Sequence, residues 1–174
     1  MRYVALLRAI NVGGHVVKMD RLRTLFEELK FKNVETFIAS GNVIFETTSN
    51  NAAELETKIE KHLKKALGYE VGVFLRTCAE IAAIAEYAPF TSKDGCLVHV
   101  AFLKAPPDNA AKQKVLALKT KDDDFHTHKR EWYWQTRGSF GKSPAAVPFG
   151  KIAGSAGTMR NVTTVRKLAA KYKA

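Results

Sequence analysis

The sequence predicts an α+β fold of two ferredoxin-like, split βαβ subdomains, the second degenerate, followed by a C-terminal helix. Three observations predict it. Apolar runs of strand length alternate with stretches whose apolar residues recur at helical spacing. Over residues 1–76 the order is strand, helix, strand, strand, helix, strand, which is the split βαβ pattern. That order begins again in the second half, with no low-complexity linker between them. The expected subdomains are therefore 1–76 and 77–174, packed as one unit.

Each element has its own justification. Residues 3–10 are almost continuously apolar, broken by Arg8, as in a central strand covered on both faces. Leu22, Leu25, Phe26 and Leu29 share one face of a helix over 19–30, with Asp20 as the expected N-cap. Two strands, 34–39 and 43–46, hinge at Ser40-Gly41-Asn42. Asn51 with Glu54 caps a helix whose buried stripe is Leu55, Ile59, Leu63 and Leu67 and which Gly68 ends. A strand at 71–76 completes the first half. Thr77 and Glu80 then cap a linking helix that stops at Pro89-Phe90.

In the second half, 96–103 reads as a strand and Asp108 opens a helix that runs to about Leu118. Residues 125–135 supply one or two strands, since the turn near Lys129-Arg130 lacks Gly or Asn. Ser143-Pro144 fits the start of a short helix that Pro148 stops. Thr158 is the expected N-cap of a terminal helix with Val162, Val165, Leu168, Ala169 and Tyr172 buried.

Composition excludes several classes. With 174 residues, 46% of them hydrophobic and 26% charged, the chain is neither disordered nor a membrane span. Its start lacks the spacer and cleavage site of a secretory signal, so a cytoplasmic protein is expected. Cys78 and Cys96 are too few and too far apart for a disulfide framework or zinc module. Gly141-Lys142-Ser143 is not a P-loop, because Thr136 stands where that motif needs its first glycine. No serine sits in a Gly-x-Ser-x-Gly elbow. His126 and His128 share one strand face beside Asp122, Asp123 and Asp124, but two ligands do not make a site, so neither metal nor cofactor is assigned. Trp132-Tyr133-Trp134 reads first as core and second as a base-stacking platform.

The charge is one-sided. The formal net charge is +11, and eight Lys and Arg follow Glu131 with no Asp or Glu among them. Clustered charge of one sign attracts anionic partners, although a solvated face has the same composition.

Strand order 4-1-3-2 places the end of the first strand beside the start of the third. Arg8, Asn11, Gly13 and Gly14 are therefore expected at one rim with Ser40, Gly41 and Asn42. The first helix also begins there, and its N-terminal N–H groups favour an anion. Arg160, Asn161 and Thr164, read as the start of the terminal helix, are the second-half candidates. A cation in a helix's first turn opposes the dipole, so Arg160 points to an acidic partner, internal or bound. No catalytic residue is assigned; Glu46 and His15 are the nearest general bases on offer.

The chain resembles an uncharacterised, mainly bacterial family, domain of unknown function 1697, on four stretches. They are LLRAINVGG at 6–14, TFIASGNVIF at 36–45, APF at 88–90 and TMRNVTTV at 158–165. It departs from that family's pattern at Ala9, where glycine is usual, and at Val162, where an aromatic is usual. The resemblance implies an α+β fold with ferredoxin-like subdomains, and no reaction, substrate or cofactor. From the residues, the leading expectation is anion binding, of nucleic acid or a phosphorylated metabolite, at the rim between the first strand–helix loop and the second–third strand turn. Two alternatives stay open: a small enzyme for a phosphorylated or carboxylated substrate, and an interaction module for an acidic partner protein. Oligomeric state is not legible.

Overall fold

The first strand, β1 (Arg2–Arg8), is buried along almost its whole length and lies inside a sheet. The computed structural model describes residues 1–11, 13–38, 41–153 and 157–173. β1 is followed by α1 (Met19–Glu28), β2 (Lys32–Thr36), β3 (Asn42–Glu46), α2 (Ala52–Leu67), β4 (Gly72–Thr77) and α3 (Cys78–Glu86). Then come β5 (Cys96–Leu103), α4 (Asn109–Leu116), β6 (Asp123–His128), β7 (Glu131–Arg137), a 3-10 turn (Phe140–Lys142), α5 (Ala146–Ile152), β8 (Gly157–Asn161) and α6 (Val162–Lys171). Among the described residues the strands form two four-stranded antiparallel sheets, ordered β2-β3-β1-β4 and β6-β7-β5-β8. Both are the 2-3-1-4 order of a split βαβ unit. The fold is α+β. No described helix is long and apolar enough to cross a membrane.

The chain forms two compact units, Met1–Ala83 with Leu168–Ala174, and Ile84–Lys167. In the first, Tyr3, Ala5, Leu7, Val43, Phe45, Val73 and Leu75 alternate onto one sheet face and pack with Leu22, Leu25 and Phe26 of α1 and Leu55, Ile59 and Leu63 of α2. Each Val, Leu, Ile or Phe among them contributes about 1.5–3 kcal/mol by leaving water. The Asn51 carboxamide caps α2 through the Glu54 N–H, and Gly68, in the left-handed region, ends it. Two carboxylates one helical turn apart then close an edge of the sheet. Glu56 and Glu60 on α2 accept from the Leu75 and Val73 N–H groups at 2.8 and 2.9 Å. This satisfies donors that an open edge strand would offer to another chain. The end of α6 also belongs to this unit: Lys171 and the Tyr172 hydroxyl both donate to Glu35 on β2, and Tyr172 meets Phe37 edge-on.

In the second unit Ala101, Leu103, Phe125, Trp132 and Trp134 pack against Val115 of α4 and Phe149 of α5. Trp132, Tyr133 and Trp134 are all buried, so this aromatic run is core and offers no surface for stacking bases. Under the sheet, Asp123 accepts from Trp134 Nε1, Ser143 Oγ and Thr120 Oγ1. Burial pushes its carboxyl up, but these hydrogen bonds and one from Thr136 together hold it below the usual range.

Several expectations need correcting. Asp20 is not the cap of α1; Lys18 holds that position without a side-chain bond, and Asp20 pairs with Arg23 inside the first turn. The Lys129-Arg130 turn closes a true hairpin, with Lys129 at φ +53° instead of a glycine. Pro148 does not stop α5 but sits in its first turn, where its missing N–H costs nothing. Residues 157–161 are a strand, not a cap and helix start. β8 completes the second sheet, and the helix begins only at Val162.

Candidate functional site

The predicted rim brings its two corners together within the first unit. The Leu7 N–H donates to the Gly41 carbonyl at 2.8 Å, and Leu6 stands opposite Asn42 in the β1–β3 register. Gly41 has φ +76°, and a Cβ there would lie 2.7 Å from Ile10 Cγ2 and 3.2 Å from Leu7 Cβ. Glycine is thus required by packing as well as by backbone conformation. Arg8, at the end of β1, is half-buried, and Ser40 lies outside the described residues.

Two candidate side chains at this rim hold the loops themselves. Asn42 is 0% exposed, and its Nδ2 donates to the Phe37 carbonyl at 2.9 Å, beside the Phe37 N–H bond to the Asn42 carbonyl. These two bonds tie Asn42 to Phe37. The Asn11 Oδ1 accepts from the Val17 N–H at 2.8 Å and folds the 9–18 loop back on itself. The Tyr69 hydroxyl donates to the Ile10 carbonyl at 2.8 Å, and His15 stacks on the Tyr69 ring at 3.8 Å. Gly13 and Gly14, at φ +62° and +84°, are exposed with open space where a Cβ would stand. The exposed part of the rim is the backbone of the glycine pair, with Arg8 half-buried at the end of β1. Ala9 lies at φ +63°, a left-handed conformation that glycine adopts without strain.

Of the two general bases on offer, His15 stacks on Tyr69 and Glu46 is held by other partners. Glu46 accepts from Arg2 and Asn33, and these bonds, Arg2 first, hold its carboxyl below the ordinary value. A carboxylate so held is a poor proton acceptor. His126 and His128 do share a face, as expected, and both engage Tyr87. His126 Nε2 lies 2.7 Å from the Tyr87 hydroxyl, and His128 stacks on the Tyr87 ring at 4.3 Å. Among the described residues no group of three or more His, Cys, Asp or Glu is placed to hold a metal ion.

The second-half candidates separate. Arg160 sits in β8, 8% exposed, donating to Thr158 Oγ1 and the Met159 carbonyl, both at 2.9 Å. The helix-dipole reason for singling it out fails, because it is in a strand. Burial lowers its guanidinium to about 10, still charged at neutral pH. Thr164 is half-buried in the first turn of α6. Asn161 lines a cavity, and its Oδ1 also accepts from the Thr163 N–H at 2.8 Å.

That cavity lies wholly within the second unit and measures about 330 Å³. Its lining comes from the segment after α3, the start of β5, the end of β7 and the start of α6, and includes Ser92, Lys93, Gln135, Thr163 and Arg166. None of its lining residues is acidic.

The family model described as "Protein of unknown function (DUF1697)" matches residues 1–133. The chain belongs to that family. A solved structure, that of the conserved bacterial protein SP0830 from Streptococcus pneumoniae, is similar to this DUF1697 chain at 26% identity and a TM-score of 0.83. The likeness covers 99% of this chain and 98% of the other. No curated protein matches the chain.

In this DUF1697 chain the residues the sequence reading missed are Ser92, Lys93, Gln135 and Arg166. A signal for two of them was present. The helix stop at Pro89-Phe90 leaves a polar loop carrying Ser92 and Lys93 just before β5, at the end of the sheet where β7 and β8 finish. Arg166 carried no such signal, because its place depends on where α6 begins.

Proposed function

We propose that the protein binds anionic ligands and that the rim of the first unit is one place where it does so. The observation that carries this reading is the Leu7–Gly41 hydrogen bond, which joins two remote corners beside Arg8 and the open Gly13-Gly14 backbone. Exposed backbone N–H groups in left-handed and turn conformations, next to a guanidinium, favour phosphate or carboxylate oxygens. The acid-free basic segment after Glu131 adds long-range attraction for the same class of ligand. The partner is a nucleic acid or a phosphorylated small molecule, since both present the oxyanion that this chemistry recognises.

The test is fluorescence anisotropy with short single- and double-stranded RNA and DNA, together with a thermal-shift panel of sugar phosphates and nucleotides. Polymer binding is expected to weaken steeply with salt, by counterion release, and Arg8→Ala is expected to reduce it more than Arg8→Lys, which keeps the charge. Absence of binding to every polymer at low salt, and of any shift in the small-molecule panel that Arg8→Ala removes, would defeat the rim as a binding site.

A further inference from the structure

The cavity of the second unit is lined by both cationic and apolar residues. Lys93 and Arg166 both line it, both are exposed, and neither makes an ion pair or side-chain hydrogen bond among the described residues. Some exposed cations elsewhere find a carboxylate, as Arg2 does with Glu46 and Arg137 with Asp122; Lys93 and Arg166 have none in the wall of the cavity they line. Two cations around one hollow with no carboxylate in its wall repel each other, and an anion between them relieves that repulsion. Ser92 and Thr163 add hydroxyl donors beside them.

Gln135 supplies direction. It is 5% exposed, donates one carboxamide N–H to the Thr91 carbonyl at 3.1 Å, and lines the cavity. A buried amide held by a single such bond keeps a donor and an acceptor for a guest with a polar edge. Apart from Asn161, the remaining wall is mostly apolar and includes the rings of Tyr87 and Phe90 and the Val98 side chain. A volume of about 330 Å³ is at the small end of ligand pockets, which run from about 300 to 1,000 Å³.

We propose that this cavity binds a phosphomonoester carried on a flat, partly polar body, the chemistry of a nucleoside monophosphate. The phosphate lies between Lys93 and Arg166, and the ring lies along Tyr87 with its polar edge toward Gln135. The proposal is independent of the rim, which belongs to the other unit and is probed by Arg8.

Isothermal titration of the full chain with AMP and UMP, with inorganic phosphate and with adenosine tests it. Saturable one-to-one binding of at least one monophosphate is expected, at least tenfold tighter than either phosphate or adenosine alone. Arg166→Gln and Lys93→Gln are each expected to weaken it at least tenfold, and Arg8→Ala to leave it unchanged. Both positions are exposed, so the melting temperature is expected to hold. Were a variant to unfold, amide shifts of residues 92–97 and 161–166 on adding AMP to the unaltered protein decide the matter. The proposal is overturned by the absence of saturable binding for both nucleotides, by equal binding of phosphate alone, by indifference to both substitutions, or by shifts confined to other residues.

Discussion

The two halves share one topology and elaborate opposite ends of it. In the first unit the connections at the far end of the central strand are long and unusual: Ala9, Gly13 and Gly14 are left-handed among the described residues of 9–18, and Gly41 is pressed against Ile10. The matching connections of the second unit are short. Pro106-Pro107-Asp108 leads straight into α4, and Lys129-Arg130 closes the hairpin in two residues. There the irregular chain gathers at the other end of the sheet, where the segment before β5 meets the start of α6 around the cavity. The lesson is that a repeated strand order fixes where loops emerge but not which of them is free to become a site.

The largest test of this contrast is Gly41→Ala. A left-handed alanine costs about 1–2 kcal/mol and the overlap with Ile10 a further ~1–3 kcal/mol, so a loss of about 2–5 kcal/mol is expected in urea unfolding. Gly13→Ala has the same backbone strain without the overlap and is expected to lose only about 1 kcal/mol. Equal losses at the two positions would show that the corners do not press together as described. Ala9→Gly runs the other way. Relief of the left-handed strain outweighs the added freedom of the unfolded chain, for a gain of about 1 kcal/mol by the same measurement.

The smallest effect distinguishes the two cores. Glu56, buried on α2 of the first unit, is satisfied by the Leu75 N–H, whereas His99 lies on the helix-facing side of the second sheet against Phe140, its Nδ1 buried without a hydrogen-bond partner. Burial pushes its imidazole below the ordinary 6.5. The unfolded chain therefore binds the proton first as pH falls, so stability is full above about 6.5 and declines below it toward the folded value. Chemical denaturation between pH 7 and 5 is expected to show this decline, and His99→Phe to flatten it. A His99→Phe protein with an unchanged pH profile would assign the decline elsewhere.

Much of the fold was legible because local chemistry agreed with the tertiary outcome. Asn51 with Glu54, Gly68, and the Thr77–Glu80 pair act as read, and β5 spans the predicted 96–103. The strand order followed from the element order. β8 was not legible, because Thr158 before a periodic apolar run is also what a capped helix looks like, and only pairing with β5 decides between them. Lys129 hid the hairpin because lysine seldom adopts positive φ. At the candidate site the meeting of the corners could be deduced, but the fate of Asn42 could not. An amide beside a glycine turn has the same one-dimensional signature whether it faces a guest or, as here, the Phe37 carbonyl.

The bonds from Lys171 and Tyr172 to Glu35 bridge sequence separations of 136 and 137 residues. As the ribosome extends the chain, the first sheet can pair its strands early, yet the flank of β2 waits for a helix translated after the whole second sheet. At roughly 5–20 residues per second that delay is on the order of ten seconds, during which Phe37 lacks its Tyr172 neighbour. A nascent-chain arrest placed after residue 160 should therefore leave β2 more open to proteases than one placed beyond 172.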